Sequence, residues 1–465
     1  MKTKNATPHF DWSKNILYSL LTVFVCCSFV AALTSCDKFL DITPTGKVIA
    51  STSDDYRALL TNEYKYFSGD RYMTTLRTDE IQMTLKTGST DINHYWDLWI
   101  WNDENPSPSR SYFSWRTYYH SIYIANYIIE HQNEIEDASA QVISQLVGEA
   151  YMMRAYNHFL LVNLYAEPYT HCTPATTRGV PMLLEADVNV IPRSSSVEAV
   201  YQQVLSDINA AEQSMNVALW EEGKNYRFNT VSAEALRART YLYMGRWLEA
   251  LAAAKKVIGA HPDLIDLVTS TIMPDNYKSP EIILALEKFS SNMSTVITQP
   301  TNDFVNLYRN GDIRKEKFFE EDIDNGIYNL IKIDANSYCS FRSAEAYLTA
   351  AEAACQLNDL TGAINYLKPL LEKRLNSTAY NDAITMMQGM DKTQLLQEIY
   401  DERAREFAFE GHRWYDLRRM NPQPTLTHTF VISKTVKRTY TLKPENYTMR
   451  FPTEAVEANP EIVRW

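Results

Sequence analysis

The sequence predicts an all-α fold, and three observations carry that prediction. Apolar and aromatic residues recur at helical i, i+3, i+4 spacing through most of the chain. Glycine is scarce: there are 13, where average usage would give about 33. That scarcity disfavours turn-rich β architectures and enzymes built on glycine-rich phosphate loops. Only 425–442 alternates like strand, so at most a small β-hairpin is expected. The 465 residues, 45% of them hydrophobic, are enough to bury a large core. The 30 Tyr and 9 Trp suit either aromatic packing between helices or a surface that stacks on ligands.

Taken in order, the chain starts with a targeting signal. Lys2, Lys4 and Lys14 precede an uncharged stretch from Ile16 to Leu33, which ends in Leu33-Thr34-Ser35-Cys36. The stretch is also just long enough to be an uncleaved anchor helix. The Leu-Thr-Ser-Cys ending decides between the two, because it resembles the lipobox of bacterial lipoproteins. Cleavage before Cys36 and a lipid on Cys36 follow from that resemblance. Residues 1–35 are read as a signal peptide and 36–50 as an extended tether, with Pro44 and Gly46 opposing a helix. The remainder is read as an N-terminal part, 51–260, and a C-terminal part, 261–465.

Helices are expected at Trp115–Ile129, with Tyr119, Ile122, Tyr123 and Asn126 on one stripe, and at Gln141–Tyr165, stopping before Pro168. Ser194-Ser195-Ser196 with Glu198 forms a capping signature ahead of Val197–Met215. Ser232–Ile258 breaks at Gly245, and Ser343–Leu371 breaks at Asn358-Asp359. Both broken segments have the look of tetratricopeptide helix pairs, in which small residues let two helices approach closely. Long insertions at 61–114 and 261–341 interrupt the helices, and loops of that size usually carry function.

Charge and motifs exclude several classes. Lys plus Arg number 45 against 57 Asp plus Glu, a net charge of −12 without any long basic run, which argues against nucleic-acid binding. There is no G-x-G-x-x-G, G-x-x-x-x-G-K-[ST] or G-x-S-x-G, and no two His stand four apart, so H-E-x-x-H zinc chemistry is excluded. Neither a cofactor nor a resident metal is expected. The acidic run Glu320–Gly326 fails the EF-hand spacing and reads as a solvated loop, open at most to adventitious Ca²⁺. Cys172, Cys339 and Cys355 have no C-x-x-C spacing and read as core thiols.

The densest motif is Glu402 to Arg419. On one continuous helix Arg403, Phe407, Gly411, Trp414 and Arg418 would share a side, with Gly411 marking close backbone packing. Arg403, Glu406, Glu410, His412, Arg413, Asp416 and Arg418 nearly balance in charge and lack a nucleophile. A buried ion-pair lattice fits better than a catalytic centre. This segment resembles the closing motif of the SusD/RagB-like outer-membrane lipoproteins of Bacteroidetes. The resemblance continues through Gly148-Glu149-Ala150 with Met153-Arg154-Ala155, Asn310–Arg314, Phe341–Leu348 with Ala351-Glu352-Ala353, Phe451-Pro452 and Ala458-Asn459-Pro460. Phe39-Leu40-Asp41 after the lipobox fits too, while Ala166 departs where the family often has Gly.

The resemblance implies a helical fold with four tetratricopeptide-like pairs supporting a variable ligand-binding half. It also implies a non-enzymatic, cell-surface lipoprotein that captures glycans or other nutrients for a SusC-like TonB-dependent transporter. A protein-binding adaptor and a glycoside hydrolase are the alternatives. Aromatic platforms beside polar groups suit sugars. The ligand candidates are therefore Tyr95, Trp96, Trp99, Trp101 and Asn102 in the first insertion, with Arg77, Asp79 and Glu80 upstream, and Tyr277 in the second. Packing of these aromatics against the scaffold is the opposing reading.

Overall fold

Side-chain caps set where many of the helices begin. Thr52 closes a capping box on α1 (Ser53–Lys65), and Ser139 caps the 26-residue α4 (Ala140–Tyr165). The structure, a computed structural model, describes residues 50–83, 92–107, 113–289, 298–431 and 436–463. The signal peptide, Cys36 and all of the tether but Ala50 lie outside them.

Between α1 and α4 stand α2 (Ile92–Trp99) and α3 (Trp115–Glu130). Ser196 caps α5 (Val197–Ser214) by accepting the Ala199 N–H, as its sequence signature predicts. Next come α6 (Thr230–Tyr243) and α7 (Trp247–Ala260), joined through Gly245 at φ 70°. After the short α8 (Asn302–Val305) and α9 (Ile313–Phe318) follow α10 (Ser343–Gln356) and α11 (Leu360–Glu372). Their turn uses Asn358 at φ 65° and the Asp359 cap, so both expected breaks fall where expected. The last helices are α12 (Ser377–Gln388), α13 (Lys392–Glu406), α14 (Arg413–Arg419) and α15 (Thr453–Ala458).

Successive helices pack in pairs: α3 on α4, α4 on α5, α6 on α7 and α10 on α11. The pairs then join, because α7 packs on α10. Ala238, Ala253, Ala254 and Ala350 fill the α6–α7–α10 junction, where the lack of bulk lets backbones approach. Leu348, Ile364, Leu367, Leu395 and Ile399 form a larger apolar core across α10–α13.

Five two-stranded antiparallel ladders occur among the described residues. The expected hairpin is one of them, β9 (Thr427–Val431) with β10 (Lys437–Thr441). The other four are short pairings that the sequence did not announce. β1 (Ile81–Met83) pairs with β5 (Thr298–Pro300), which brings the two long insertions together. β2 (Arg178–Pro181) pairs with β3 (Ser194–Ser196), and β4 (Ile282–Leu284) with β8 (Phe341–Arg342). β6 (Phe319–Asp322) and β7 (Ile327–Leu330) form a hairpin whose turn closes at Gly326, φ 67°. The acidic run Glu320–Gly326 is thus a strand and its turn. Strands of two to four residues offer too little alternation to be read from sequence.

One expected helix is two. The chain leaves α13 at Glu406, turns through Phe409 (φ 62°) and Gly411 (φ 70°), and re-enters helix at Arg413. Gly411 is therefore a turn residue and not a mid-helix one. A Cβ there would lie 2.6 Å from the Arg71 carbonyl oxygen, so close backbone packing is real. Helical periodicity happens to continue in register across the turn, which hid the break.

Candidate functional site

The charged motif closes on itself. Glu406, fully buried, accepts from Arg342 Nη1 at 2.6 Å, Arg374 Nη2 at 2.8 Å and Arg314 Nη1 at 2.9 Å. Glu410 accepts from Lys332 Nζ at 2.6 Å and Arg342 Nη2 at 2.9 Å. Arg403 donates to Asp416 at 2.9 Å, and Arg419 pairs with Glu352 and Asp416. Arg413 reaches Asp79 at 2.7 Å. Burial opposes the Glu406 charge, but Arg374 and Arg342 outweigh it and hold the carboxyl well below its ordinary range.

Two residues of the motif are buried without a carboxylate partner. His412 stacks on Phe407 at 4.4 Å, and burial, with Arg71 and Arg239 nearby, keeps it neutral. Arg418 donates to the backbone oxygens of Asn163, Ala166 and Tyr447, and burial lowers its pKa to about 10. It holds the end of α4 to the chain before α15.

Asp275 lies against this lattice. Burial lifts its carboxyl from 3.8 to about 6; Lys332 opposes the rise and Glu410 adds to it. The folded form therefore holds this proton more tightly than the unfolded one. Its contribution to stability is full below about pH 4 and is lost as pH rises through about 6. Asp275→Asn is expected to remove that loss. Thermal melts across this window should show the variant gaining on the parent as pH rises; a constant difference would contradict the assignment.

The predicted ligand residues of the first insertion are brought together, but mostly inward. Trp99 is 0% and Trp101 4% exposed. Their indole N–H groups donate to the carbonyls of Ile81 and Arg77, each at 3.1 Å. The His428 ring stacks on Trp101 at 4.1 Å and on Trp99 at 4.7 Å. Its two nitrogens lie 2.7 Å from the carbonyl oxygens of Trp99 and Thr78. Burial pulls this imidazole down to about 4, while the two carbonyls draw it towards the cation that alone donates to both. Arg77 is fully buried, forked onto Asp103 at 2.8 and 3.0 Å, with its guanidinium 4.8 Å from the Trp414 ring. Glu80, also fully buried, accepts the Phe409 N–H, and burial raises it to about 8.

Arg77, Trp99 and Trp101 thus have no face left for a ligand. The packing reading holds for them because each indole and guanidinium satisfies a backbone or carboxylate group that burial would otherwise orphan. The segment is not extended: Trp99 ends a helix and Trp101 follows it at φ 57°. Tyr95, Trp96 and Asn102 are half-buried. Trp96 sits edge-on to Phe430 at 4.8 Å and to Tyr440 at 5.6 Å, against the β9–β10 hairpin. Tyr277, also half-buried, has its ring against Tyr338 in a different part of the fold.

The comparisons with known proteins follow the same pattern. Residues 38–242 match a family described as "Starch-binding associating with outer membrane", and residues 279–462 match one described as "SusD family". Together the two matches span most of the chain.

The chain belongs to the SusD/RagB-like family.

A SusD-like protein of Formosa agariphila is 25% identical over 84% of this chain and 89% of its own length. The "Starch-binding protein SusD" of Bacteroides thetaiotaomicron is 46% identical over a shorter span, 17% of this chain and 12% of that protein. A crystal structure of a SusD superfamily protein from B. thetaiotaomicron superposes with a TM-score of 0.71 and 24% identity, covering 88% of this chain and 99% of that one. A "SusD-like carbohydrate binding protein" from Bacteroides vulgatus gives 0.70 and 18%, covering 89% and 98%. The fold is therefore the mostly helical SusD-like one. Among the described residues no helix is long and apolar enough to cross a membrane.

The SusD-like motifs, scattered in sequence, converge in space. Asp312 and Arg314 from one segment, Arg342 from a second and Glu402–Glu410 from a third meet in one lattice. Of the early motif, Glu149 pairs with Arg57 and Arg227, and Arg154 pairs with Asp207. Sequence reasoning missed Lys332, Arg374 and Glu281, which complete the lattice, because isolated charges in insertions look like solvated surface. It also missed His428, the partner of both buried Trp. It placed Tyr119 and Tyr123 on a helical stripe with no ligand role, and both line an open groove of about 450 Å³.

Proposed function

We propose that this protein is a cell-surface glycan-binding lipoprotein of the outer membrane. It is tethered through a lipid on Cys36 and delivers its ligand to a SusC-like TonB-dependent transporter. The reading is non-catalytic: the acidic and basic residues of the closing motif are engaged inside the fold, by ion pairs, by ring stacking at His412 and by backbone carbonyls at Arg418. The observation that carries it is the matched family's own description as starch-binding and outer-membrane-associated.

On this reading the first insertion offers ligand the half-buried Tyr95 and Trp96, with Asn102 as a polar neighbour. The buried Trp99–His428–Trp101 stack beneath them is support. A ring braced edge-on by Phe430 and Tyr440 is pre-organised, so little freedom is lost on stacking against the apolar face of a sugar. Trp96→Ala is expected to weaken glycan binding about tenfold with little change in melting temperature. Calorimetric titration with neutral oligosaccharides checks it, and unchanged affinity would remove Trp96 from the site. Incubation of the purified protein with the same sugars should release no product. The transporter partnership is tested by co-purification with a TonB-dependent barrel from native membranes.

A further inference from the structure

An open groove among the described residues lies away from the closing motif. Its floor is one stripe of α3: Trp115, Tyr119 and Tyr123, spaced at i, i+4 and i+8 and each half-buried. The loop Pro181–Pro192 forms one wall, and α15 with the turn after it forms the other. The volume of about 450 Å³ falls within the usual range for ligand sites.

The groove is built and held open by specific contacts. Trp115 is wedged against Tyr165 at 5.1 Å and Phe451 at 5.2 Å, and tilts 45° to Tyr119. The Tyr119 hydroxyl donates to the Pro181 carbonyl at 2.8 Å, so this residue offers a ring and not its hydroxyl. Asn126 donates from its amide to the Leu183 and Glu185 carbonyls, fixing the near end of the loop to α3. Asn459 donates to the Pro192 carbonyl at 2.8 Å and fixes the far end.

The chemistry of the lining selects the occupant. Flat aromatic faces at regular spacing match the apolar C–H faces of successive sugar rings. The rim carries Arg116 with Asp187 and Glu454, and the imidazole of His120, all exposed. A rim of so few charges, without a basic excess, gives no strong field to draw an acidic polymer. The chain links the groove to the first insertion. Met449–Thr453 line a small cavity shared with Leu98, Asp103 and Glu104, and the chain then runs directly into the groove wall.

We infer that this groove is a second binding site, taking a neutral oligosaccharide on Trp115, Tyr119 and Tyr123, distinct from the Trp96 surface. The inference rests on the proposed glycan-binding function and assigns it a further place. The test is calorimetric titration of the full chain with maltoheptaose, cellohexaose, xylohexaose and mannohexaose. Tyr123→Ala removes one stacking face, and Ala458→Trp, at an exposed position on the wall, fills the groove without disturbing the core. For the tightest-binding sugar, each variant is expected to weaken affinity about tenfold or to abolish one of two binding events, with melting temperatures unchanged. Trp96→Ala is expected to leave the groove event in place. Loss of all binding in Trp96→Ala, with both groove variants binding as the parent does, would overturn the second site and leave the proposed function standing. A parent chain that binds none of the four sugars would overturn both.

Discussion

Replacing Glu406 with Ala is expected to lower stability by about 3–5 kcal/mol, enough to unfold a marginal domain. The carboxylate sits among Arg314, Arg342 and Arg374, each of these side chains no more than 1% exposed. Its removal leaves three buried guanidinium groups short of a counter-charge, in a place where water cannot replace it. Arg314 keeps Asp312 and Glu402, Arg342 keeps Glu281 and Glu410, and Arg374 keeps Glu281, so the cost comes from one uncompensated buried positive charge shared among them. Urea denaturation of parent and variant measures it. A loss below about 1 kcal/mol would mean that the lattice relaxes or admits water. Glu406→Gln, which keeps the shape and loses the charge, should fall between the two.

Trp99→Ala is expected to cost about 3–5 kcal/mol, the usual range for emptying a large aromatic site in a core. The ring is fully buried, stacks on His428 and donates to the Ile81 carbonyl, so truncation leaves a cavity and an unpaired acceptor. The expected result is a lower denaturation midpoint, with sugar affinity of the folded protein preserved. Trp96→Ala should show the opposite pattern. If Trp99→Ala abolished sugar binding at unchanged stability, the packing role assigned to it would be wrong.

Much of the helical body is legible in the sequence. The breaks at Gly245 and Asn358 announce themselves because a left-handed residue must end a helix, and few residues adopt that conformation. The cap at Ser196 is equally local. The β1–β5 ladder is not legible, since each strand has three residues and they stand more than 200 positions apart. The split between α13 and α14 is hidden for a different reason: the turn through Phe409 and Gly411 preserves the phase of the charged pattern on either side.

The candidate site divides along the same line. Clustering of Trp96, Trp99 and Trp101 within six residues is a sequence fact. Which of them faces solvent depends on His428, Phe430 and Tyr440, over 300 residues later. Sequence alone determined the helical class and gathered the Glu402–Arg419 part of the lattice, because these rest on local spacing and composition, and its motifs carried the family resemblance. Tertiary structure alone decided which aromatics are walls and which are surfaces. Burial is a property of what packs on the other side of a ring, and no local spacing encodes that.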